Sequence, residues 1–318
     1  MRRLVRMVAA LAATVVLAAL AGCGGAQYAD GKSYRIAGGG TAGVYYAYGE
    51  RFAEELHRGL GLDISVSETR GSVDNLLRVG SGDALLGFAQ GDTAADAIAG
   101  VGAFDEPLPV RAVARVYDEY VHIVVPADSE IRGIAELRGR RVSLGALNSG
   151  VAVIAERVLD SSGVPVDALD NPALGLDDSI RAMEAGEIDA FFWVGGLPTP
   201  GIERLSEAMP VRMLSIGADT VEAVNAGHAG VYRIADFPIG AYGIETSSET
   251  MTVPNYLVTS ESAPHDLVYD VAGVLFASRA SIARSVPAAA FLDRRQAIFT
   301  EPMALHPGAA DYYVDTRR

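Results

Sequence analysis

The sequence predicts an α/β protein of two lobes, each built around a doubly wound sheet. Strand and helix patterns alternate through residues 33–99, and a similar alternation follows between residues 140 and 196. This alternation is typical of mainly parallel sheets with helices on both faces. The segments SGDALLGF at 81–88 and AGEIDAFF at 185–192 both run from a helix-ending glycine through an acid into an apolar strand. We therefore expect two similar lobes and not a repeat array.

Residues 1–22 have the pattern of an export signal. Three arginines precede an apolar run at residues 7–20, which is shorter than the roughly 20 residues of a membrane-spanning helix. Cys23, the only cysteine, follows Leu-Ala-Gly, as in a bacterial lipobox. We expect a lipoprotein signal peptide, lipidation of Cys23 and a tether at 23–32; the alternative is an ordinary signal peptide with an incidental cysteine. Both predict a protein that works outside the cytoplasm, anchored by lipid in the first case.

The sequence is strongly acidic. Its formal net charge is −14, and removal of the three signal arginines brings it to −17. A surface of this charge repels nucleic acid and anionic lipid headgroups, so neither is an expected partner. The same field opposes an anionic small ligand, which would have to be held by backbone amides, helix N-termini or a placed arginine.

In lobe I, the strand YRIAGG at 34–39 precedes a helix whose apolar residues recur at helical spacing: Tyr45, Tyr48, Phe52 and Leu56. Thr41 is the expected N-cap of this helix. The strand at 62–68 leads to a helix capped by Ser72, and the strand at 83–90 leads to a helix that opens at residue 91.

In lobe II, the strand at 140–146 precedes a helix capped by Ser149 or Asn148, and a helix from residue 177 feeds a strand that ends near 196. The chain is expected to cross back near 250–260, so that the last helices pack on the first lobe. The predicted boundaries are 33–120 for the first part of lobe I, 121–251 for lobe II, and 252–318 for the return to lobe I.

Several catalytic motifs are missing from the sequence. It contains no Gly-x-Ser-x-Gly elbow, Ser-x-x-Lys pair, His-Glu-x-x-His zinc helix or complete Gly-x-x-x-x-Gly-Lys-Ser/Thr phosphate loop. The five histidines are scattered singly, which fits structural or surface positions better than a metal site. We expect a binding protein without catalytic residues, metal or cofactor; an extracytoplasmic enzyme on the same fold is the less favoured alternative.

Four loops connect a predicted strand to the helix that follows it: GGTAGVY at 39–45, RGSVDN at 70–75, AQGDT at 89–93 and LNSGVA at 147–152. Such loops line the ligand crevice of open α/β sheets, and their small residues let backbone N–H groups approach a ligand. Gly38-x-Gly40-x-x-Gly43, with Glu68 at the end of the next strand, also fits a dinucleotide fingerprint. Because nicotinamide cofactors are scarce outside the cytoplasm, a smaller anion is favoured.

Five consecutive segments resemble the motifs of the TAXI family, the solute receptors of one class of TRAP transporters: 38–56, 68–94, 120–145, 185–202 and 304–313. The resemblance implies a type II periplasmic-binding-protein fold, α/β, with two doubly wound lobes joined by a two-crossing hinge. It also implies capture of a glutamate-like or 2-oxoglutarate-like organic anion and its delivery to a TRAP permease driven by an ion gradient. We expect a monomer. The alternative is an ABC-importer receptor of the same fold.

The resemblance also implies a set of ligand-binding residues on the loops of both lobes: Gly40, Thr41, Gly43, Val44, Tyr45, Arg70, Ser72, Asn75, Gln90, Ser149, Gly150, Phe192, Trp193 and Gly196. Two departures from the family pattern affect the expected ligand. Val151 replaces a usual threonine and so removes a hydroxyl donor. Arg70 stands where a small residue is common, and it either reaches a distal carboxylate or points to solvent.

Overall fold

The computed structural model describes residues 28, 31–228 and 230–317; Cys23 and the predicted signal lie outside them. The strands are β1 (Ser33–Ala37), β2 (Asp63–Ser67), β3 (Leu86–Gln90), β4 (Val110–Pro126), β5 (Val142–Ser143), β6 (Ala190–Gly195), β7 (Val211–Met213), β8 (Arg233–Phe237) and β9 (Ser248–Ser260). The α-helices are α1 (Val44–Leu60), α2 (Ser72–Ser81), α3 (Gly91–Ala99), α4 (Gly150–Ser161), α5 (Leu176–Glu184), α6 (Pro200–Ala208), α7 (Ala218–Gly227), α8 (His265–Ile282) and α9 (Pro307–Asp315).

These strands form one sheet in the order β2-β1-β3-β9-β4-β6-β5, with β7 paired to β4 and β8 paired to β9. The long strands β4 and β9 are antiparallel and pair from Val110 beside Ser260 to Tyr120 beside Thr252, with register shifts between Ala112 and Ala114 and between Arg115 and Tyr117. Both strands therefore run from the neighbours of β3 to those of β6 and β8 and connect the two halves of the sheet.

The sheet is mixed, whereas the strand–helix alternation predicts a mainly parallel one. β1 pairs in parallel with β2 and β3, and β5 pairs in parallel with β6. The antiparallel pairs all involve β4 or β9. The difference has a simple cause: these two strands connect the parallel units and run against their outer neighbours, which local sequence patterns do not reveal.

Separate apolar cores lie in the two halves of the sheet. We call lobe I the half with β1–β3, α1–α3, α8 and α9, and lobe II the half with β5–β8 and α4–α7. In lobe I, Phe52 of α1, Phe88 of β3 and Leu275 of α8 belong to one core. Phe192 and Tyr232 belong to a core of lobe II.

The sequence pattern of α1 places its apolar face correctly but not its start. Tyr45, Tyr48, Phe52 and Leu56 are all buried. Gly43, not Thr41, occupies the N-cap position, and no side chain caps the helix. Among the described residues, none of the helices combines the length and hydropathy of a membrane span.

Candidate functional site

A cavity of about 250 Å³ lies between the lobes. Its walls come from the starts of α1, α2 and α3 in lobe I, the starts of α4 and α5 in lobe II, and the adjacent parts of β4 and β6. Ligand pockets commonly measure about 300–1,000 Å³, so this cavity suits a small solute and not a dinucleotide.

The helix starts around the cavity carry few side-chain caps. Gly43, Gly71, Gln90 and Gly175 occupy the N-cap positions of α1, α2, α3 and α5, and these four helices have no side-chain cap. Ser149 caps α4, as predicted, through its hydroxyl. The first N–H groups of a helix lack intrahelical acceptors and carry partial positive charge. The cavity is therefore lined by backbone donors that a bound anion can use.

Glu119, on β4, lies at the buried floor of the cavity and is only 1% exposed. Its carboxyl group accepts hydrogen bonds from Gln90 Nε2 at 3.0 Å, from the Tyr45 hydroxyl at 3.1 Å and from the Tyr117 hydroxyl at 3.4 Å. Burial raises the pKa of Glu119 to about 8, although these donors act in the opposite direction. In this arrangement the group is therefore mostly protonated at neutral pH.

The groups that surround Glu119 are themselves held in place. The Tyr45 hydroxyl accepts a hydrogen bond from Asn255 Nδ2 at 2.6 Å, and the Tyr45 ring stacks on Phe88 with 5.4 Å between centroids. Two buried acceptors, Gln90 Oε1 and Asn255 Oδ1, have no hydrogen-bond partner among the described residues. Two acceptor atoms of this network are therefore without a donor, whereas Glu119 already receives three hydrogen bonds.

The ionisable residues of the cavity wall are mostly acidic. Glu68, Asp177 and Asp178 line the cavity with Glu119, and Arg70 is the one described basic residue among the lining groups. The Arg70 side chain is 55% exposed, and its Nε lies 3.6 Å from Asp74 Oδ2. The guanidinium is thus already associated with an acid outside the cavity lining.

The two lobes touch beside the cavity. The Asp74 N–H donates to the Asn148 carbonyl at 3.3 Å, and the Ala42 N–H donates to Asp177 Oδ2 at 3.3 Å. A Cβ atom built on Gly150 would overlap Gln90 Oε1 and would lie 2.8 Å from Ser72 Oγ. The absence of a side chain at Gly150 therefore allows α4 to reach the wall of lobe I.

Most of the residues predicted for the site lie together around this one cavity. Eleven of them line it: Gly40, Gly43, Val44, Tyr45, Arg70, Ser72, Gln90, Ser149, Gly150, Phe192 and Trp193. Val151, which replaces a usual threonine of the family pattern, also lines the cavity. Whether each of these residues touches a ligand stays a prediction.

Three predicted residues lie elsewhere. Thr41 is exposed, and its hydroxyl lies 3.4 Å from Asp177 Oδ2. Asn75 is fully buried behind the wall, where its amide donates to the Phe88 carbonyl at 2.8 Å. Gly196 lines a different surface depression with Tyr117. In each case the residue is close to the right loop in sequence, but its side chain or backbone faces away from the cavity.

Sequence reasoning missed Glu119 and Asp177. Glu119 stands in the apolar stretch RAVARVYDEYVHIVVP, whose interrupted pattern marks an acid within a strand that is otherwise mostly buried. A buried acid in a strand that crosses between lobes is a usable signal for a site. Asp177 stands in the first turn of α5, where an acid is equally well explained by the helix dipole.

None of the histidines in the described chain lines the cavity, and the described residues contain no cluster suited to a metal ion. His122 is fully buried; its Nδ1–H donates to the Tyr120 carbonyl at 2.8 Å, and its Nε2 lies 3.2 Å from the Tyr242 hydroxyl. Desolvation lowers the pKa of His122 to about 4. This residue is a neutral part of the lobe II packing.

Comparison with known proteins gives one family and a group of similar structures. The model of the NMT1-like family matches residues 36–316. PhnD1 from Prochlorococcus marinus, solved with methylphosphonate, is 12% identical over 90% of this chain and 97% of that chain, with a TM-score of 0.54.

Two further structures are similar. A putative L-cystine ABC transporter from Listeria monocytogenes is 12% identical over 82% of this chain and 98% of that chain, with a TM-score of 0.52. A structure described as a periplasmic transporter is 13% identical over 91% and 94% of the two chains, also with a TM-score of 0.52. At these identities the likeness concerns the fold alone. The predicted α/β fold of the periplasmic binding proteins is confirmed.

Proposed function

Because the chain belongs to the NMT1-like family and has the fold of periplasmic binding proteins, we propose that it is an extracytoplasmic receptor that captures a small organic anion and presents it to a membrane permease. It binds its solute without changing it chemically. The observation that carries this proposal is the convergence of five helix starts, four of them without a side-chain cap, on one cavity between the lobes.

An anion is the class of solute that this arrangement of N–H donors binds most favourably. The net charge of −14 and the acidic cavity wall provide no long-range attraction for it. Short, oriented N–H donors must therefore supply the affinity, and those at the start of α1, after Gly43, and at the start of α2, after Gly71, face the cavity.

The permease belongs to one of two classes. The resemblance of five collinear segments to TAXI receptors supports a TRAP permease driven by an ion gradient. The same fold also serves ABC importers, as the description of the Listeria monocytogenes structure illustrates. Solute uptake by vesicles of the source membrane, measured with added receptor in the presence and absence of ATP, would separate the classes, because a TRAP system transports without ATP and an ABC system requires it.

We place the receptor on the outer face of the membrane as a monomer, attached by lipid at Cys23. Tyr28, the first described residue, donates its hydroxyl to Asp270 Oδ2 on α8 at 2.7 Å. Cys23→Ala should release the protein into the soluble extracytoplasmic fraction. Wild-type protein recovered entirely in that fraction would contradict the anchor.

The proposed hinge consists of β4 and β9, with lobe boundaries near 120 and 251. Closure of the lobes on a ligand should reduce the radius of gyration in solution scattering. Trp193, the single tryptophan, lies in the cavity wall against Gly43 and should report closure by fluorescence. Identical scattering with and without a saturating ligand would rule closure out.

The direct test of the proposed function is mass spectrometry of the solute that co-purifies with gently isolated protein. A small organic anion is expected, released unchanged on denaturation. A chemically altered solute would support the enzyme alternative, and a solute without an anionic group would contradict the proposal.

A matched pair of variants tests the role of the α1 start. Gly43 has φ of −91°, so valine fits the backbone, but its side chain would press on Trp193, 3.2 Å from the built Cβ, and crowd the first N–H groups of α1. Gly40→Ala, on the same loop, meets open space. We expect Gly43→Val to weaken binding of the co-purified solute about 30- to 1,000-fold and Gly40→Ala to have little effect. Equal affinity of both variants would place the anion elsewhere.

A further inference from the structure

The capture of a simple anion gives Glu119 no role in binding. This residue is a buried acid in the wall of the cavity, and no described arginine or histidine forms an ion pair with it. A ligand that carried only negative charge would bring that charge close to this carboxyl group. Such an arrangement costs free energy unless the acid stays protonated.

The groups that face Glu119 favour its charged form. Gln90, Tyr45 and Tyr117 all donate hydrogen bonds to its oxygens. Its titratable neighbours are the phenols of Tyr45 and Tyr117, whose pKa values lie well above 10 because both hydroxyls are buried. These phenols stay neutral donors over the whole physiological range. A carboxylate at this position therefore has its hydrogen bonds but lacks a cation.

A second group in the same wall also accepts hydrogen bonds. Gln90 is 2% exposed and lines the cavity, and its amide oxygen has no partner among the described residues. Its amide nitrogen is already used by Glu119. The floor of the cavity therefore presents acceptors, whereas the helix starts around it present donors. The two kinds of group suit opposite ends of one small molecule.

We propose that Glu119 is a specificity-determining residue that binds an ammonium group, so that the preferred solute is a small zwitterion with a carboxylate at the helix starts and an ammonium group at Glu119. This inference rests on the proposed receptor function and chooses between its two solute types, the amino-acid-like and the oxo-acid-like. Binding of the ammonium group at neutral pH displaces the proton of Glu119 to the solvent, because the cation lowers the pKa of the neighbouring acid.

The test uses pairs of probes that share a carbon skeleton, with an ammonium group at carbon 2 in one member and an oxo group in the other. The pairs are L-glutamate with 2-oxoglutarate, L-alanine with pyruvate, and L-leucine with 4-methyl-2-oxopentanoate, titrated calorimetrically into the wild-type protein and Glu119→Gln. We expect at least one amino member to bind, at least tenfold more tightly than its oxo partner. Glu119→Gln should weaken that amino member at least tenfold and change the oxo acid less than threefold.

Proton release gives a second readout that does not require a variant. Titration at pH 7 in buffers of different ionisation enthalpy should show release of about one proton for each amino acid bound by the wild-type protein. Glu119→Gln should release none. If the variant does not fold, the preference of the wild-type protein and its proton release still decide the question.

Two results would overturn the inference: an oxo acid that binds as tightly as its amino partner, or no binding by any of the six probes. These results are distinct from failure of the proposed function. A nitrogen-free anion recovered from the purified protein would preserve the receptor function and refute the role of Glu119.

Discussion

Two buried acids lie at the boundary between the lobes, and they differ in their partners. Asp92, on α3, is fully buried and accepts hydrogen bonds from two groups of lobe II, the Arg157 guanidinium at 2.7 Å and the Tyr232 hydroxyl at 2.6 Å. Glu119 is equally buried but receives only neutral donors. A buried acid that pairs with a cation of the protein has its charge balanced without a ligand. A buried acid without such a cation can still accept a positive group from a ligand.

The same two helices form both regions. Gln90 and Gly150, at the starts of α3 and α4, touch beside the cavity. Farther along these helices, Arg157 of α4 reaches Asp92 and Asp96 of α3. Arg157 stands seven positions after Gly150, which corresponds to about 10 Å along the helix. One end of this helix pair thus holds the lobes together by charge, whereas the other end brings no cation to Glu119.

The largest expected effect comes from removing the cation of the Asp92 region. Arg157→Met should lower the free energy of unfolding by about 3–5 kcal/mol, because Asp92 would stay buried without a counter-charge. Arg181→Met is the control, since Arg181 pairs with Asp178 on the exposed surface of α5 and should cost less than about 0.5 kcal/mol. Urea unfolding at pH 7 measures both. Equal losses would mean that burial does not distinguish the Arg157 cluster from a surface pair.

The second effect concerns pH and the Glu119 region. Because burial raises the pKa of Glu119 from 4.5 to about 8, the folded protein binds a proton that the unfolded chain releases in this range. Stability contributed by this proton is complete below about pH 4.5 and is lost as the pH rises toward 8. We expect the loss to be on the order of 2–4 kcal/mol between pH 5 and pH 8.

The matched variant for this prediction is Glu119→Gln, which keeps the shape of the side chain and cannot titrate. Its free energy of unfolding, measured by urea titration at several pH values, should lack this part of the pH dependence. Parallel curves for the wild-type protein and Glu119→Gln would show that Glu119 titrates normally in the folded state.

The sequence predicts the helices and most of the cavity-lining residues better than it predicts the orientation of single side chains and the contacts between the lobes. Helical spacing and glycine-bounded strands locate α1 to α5, and eleven of the predicted site residues line one cavity, since loops at the carboxyl ends of strands converge in this fold. The outward orientation of Thr41 could not be predicted, because it depends on the N-cap of helix α1 being Gly43, two residues after the expected cap Thr41. The pairing of Arg157 with Asp92 joins residues 65 positions apart, so local patterns carry no trace of it.

The third effect concerns the contact beside the cavity. Gly150→Ala places a Cβ atom against Gln90 and 2.8 Å from Ser72 Oγ, so either the Gln90 side chain must leave its position in the cavity wall or the lobes must move apart at this point. Gly175→Ala is the matched control, because Gly175 also precedes a helix in the cavity wall, has φ of −69° and meets open space. We expect solute affinity to fall about 10- to 100-fold for Gly150→Ala, equivalent to about 1.4–2.7 kcal/mol, and to change less than threefold for Gly175→Ala.

Calorimetric titration of the co-purified solute measures this difference, and solution scattering shows whether Gly150→Ala keeps the lobes farther apart. An unchanged affinity of Gly150→Ala would mean that contact between α4 and Gln90 is not needed in the bound state. The Arg157 cluster would then hold the lobes together without help from the cavity end of the helix pair.

The smallest expected effect concerns Arg70, the one basic residue that lines the cavity in the described chain. Arg70 and Arg78 both approach Asp74, at 3.6 Å and 2.8 Å, but Arg78 lies outside the cavity lining. Because the Arg70 side chain is 55% exposed, Arg70→Gln should change stability by less than about 0.5 kcal/mol. It should also weaken solute binding less than threefold, since the carboxylate of the solute is held by helix starts.

Arg78→Gln distinguishes the loss of an ion pair with Asp74 from the loss of a cation in the cavity wall, because it removes the shorter contact with Asp74 and leaves the wall unchanged. Its solute affinity, measured by the same titration, should equal that of the wild-type protein. If Arg70→Gln alone weakens binding a hundredfold, Arg70 turns from Asp74 to the solute in the bound state. The cavity end of the boundary would then use a fixed cation, as the Asp92 region does, and the contrast between the two regions would no longer hold.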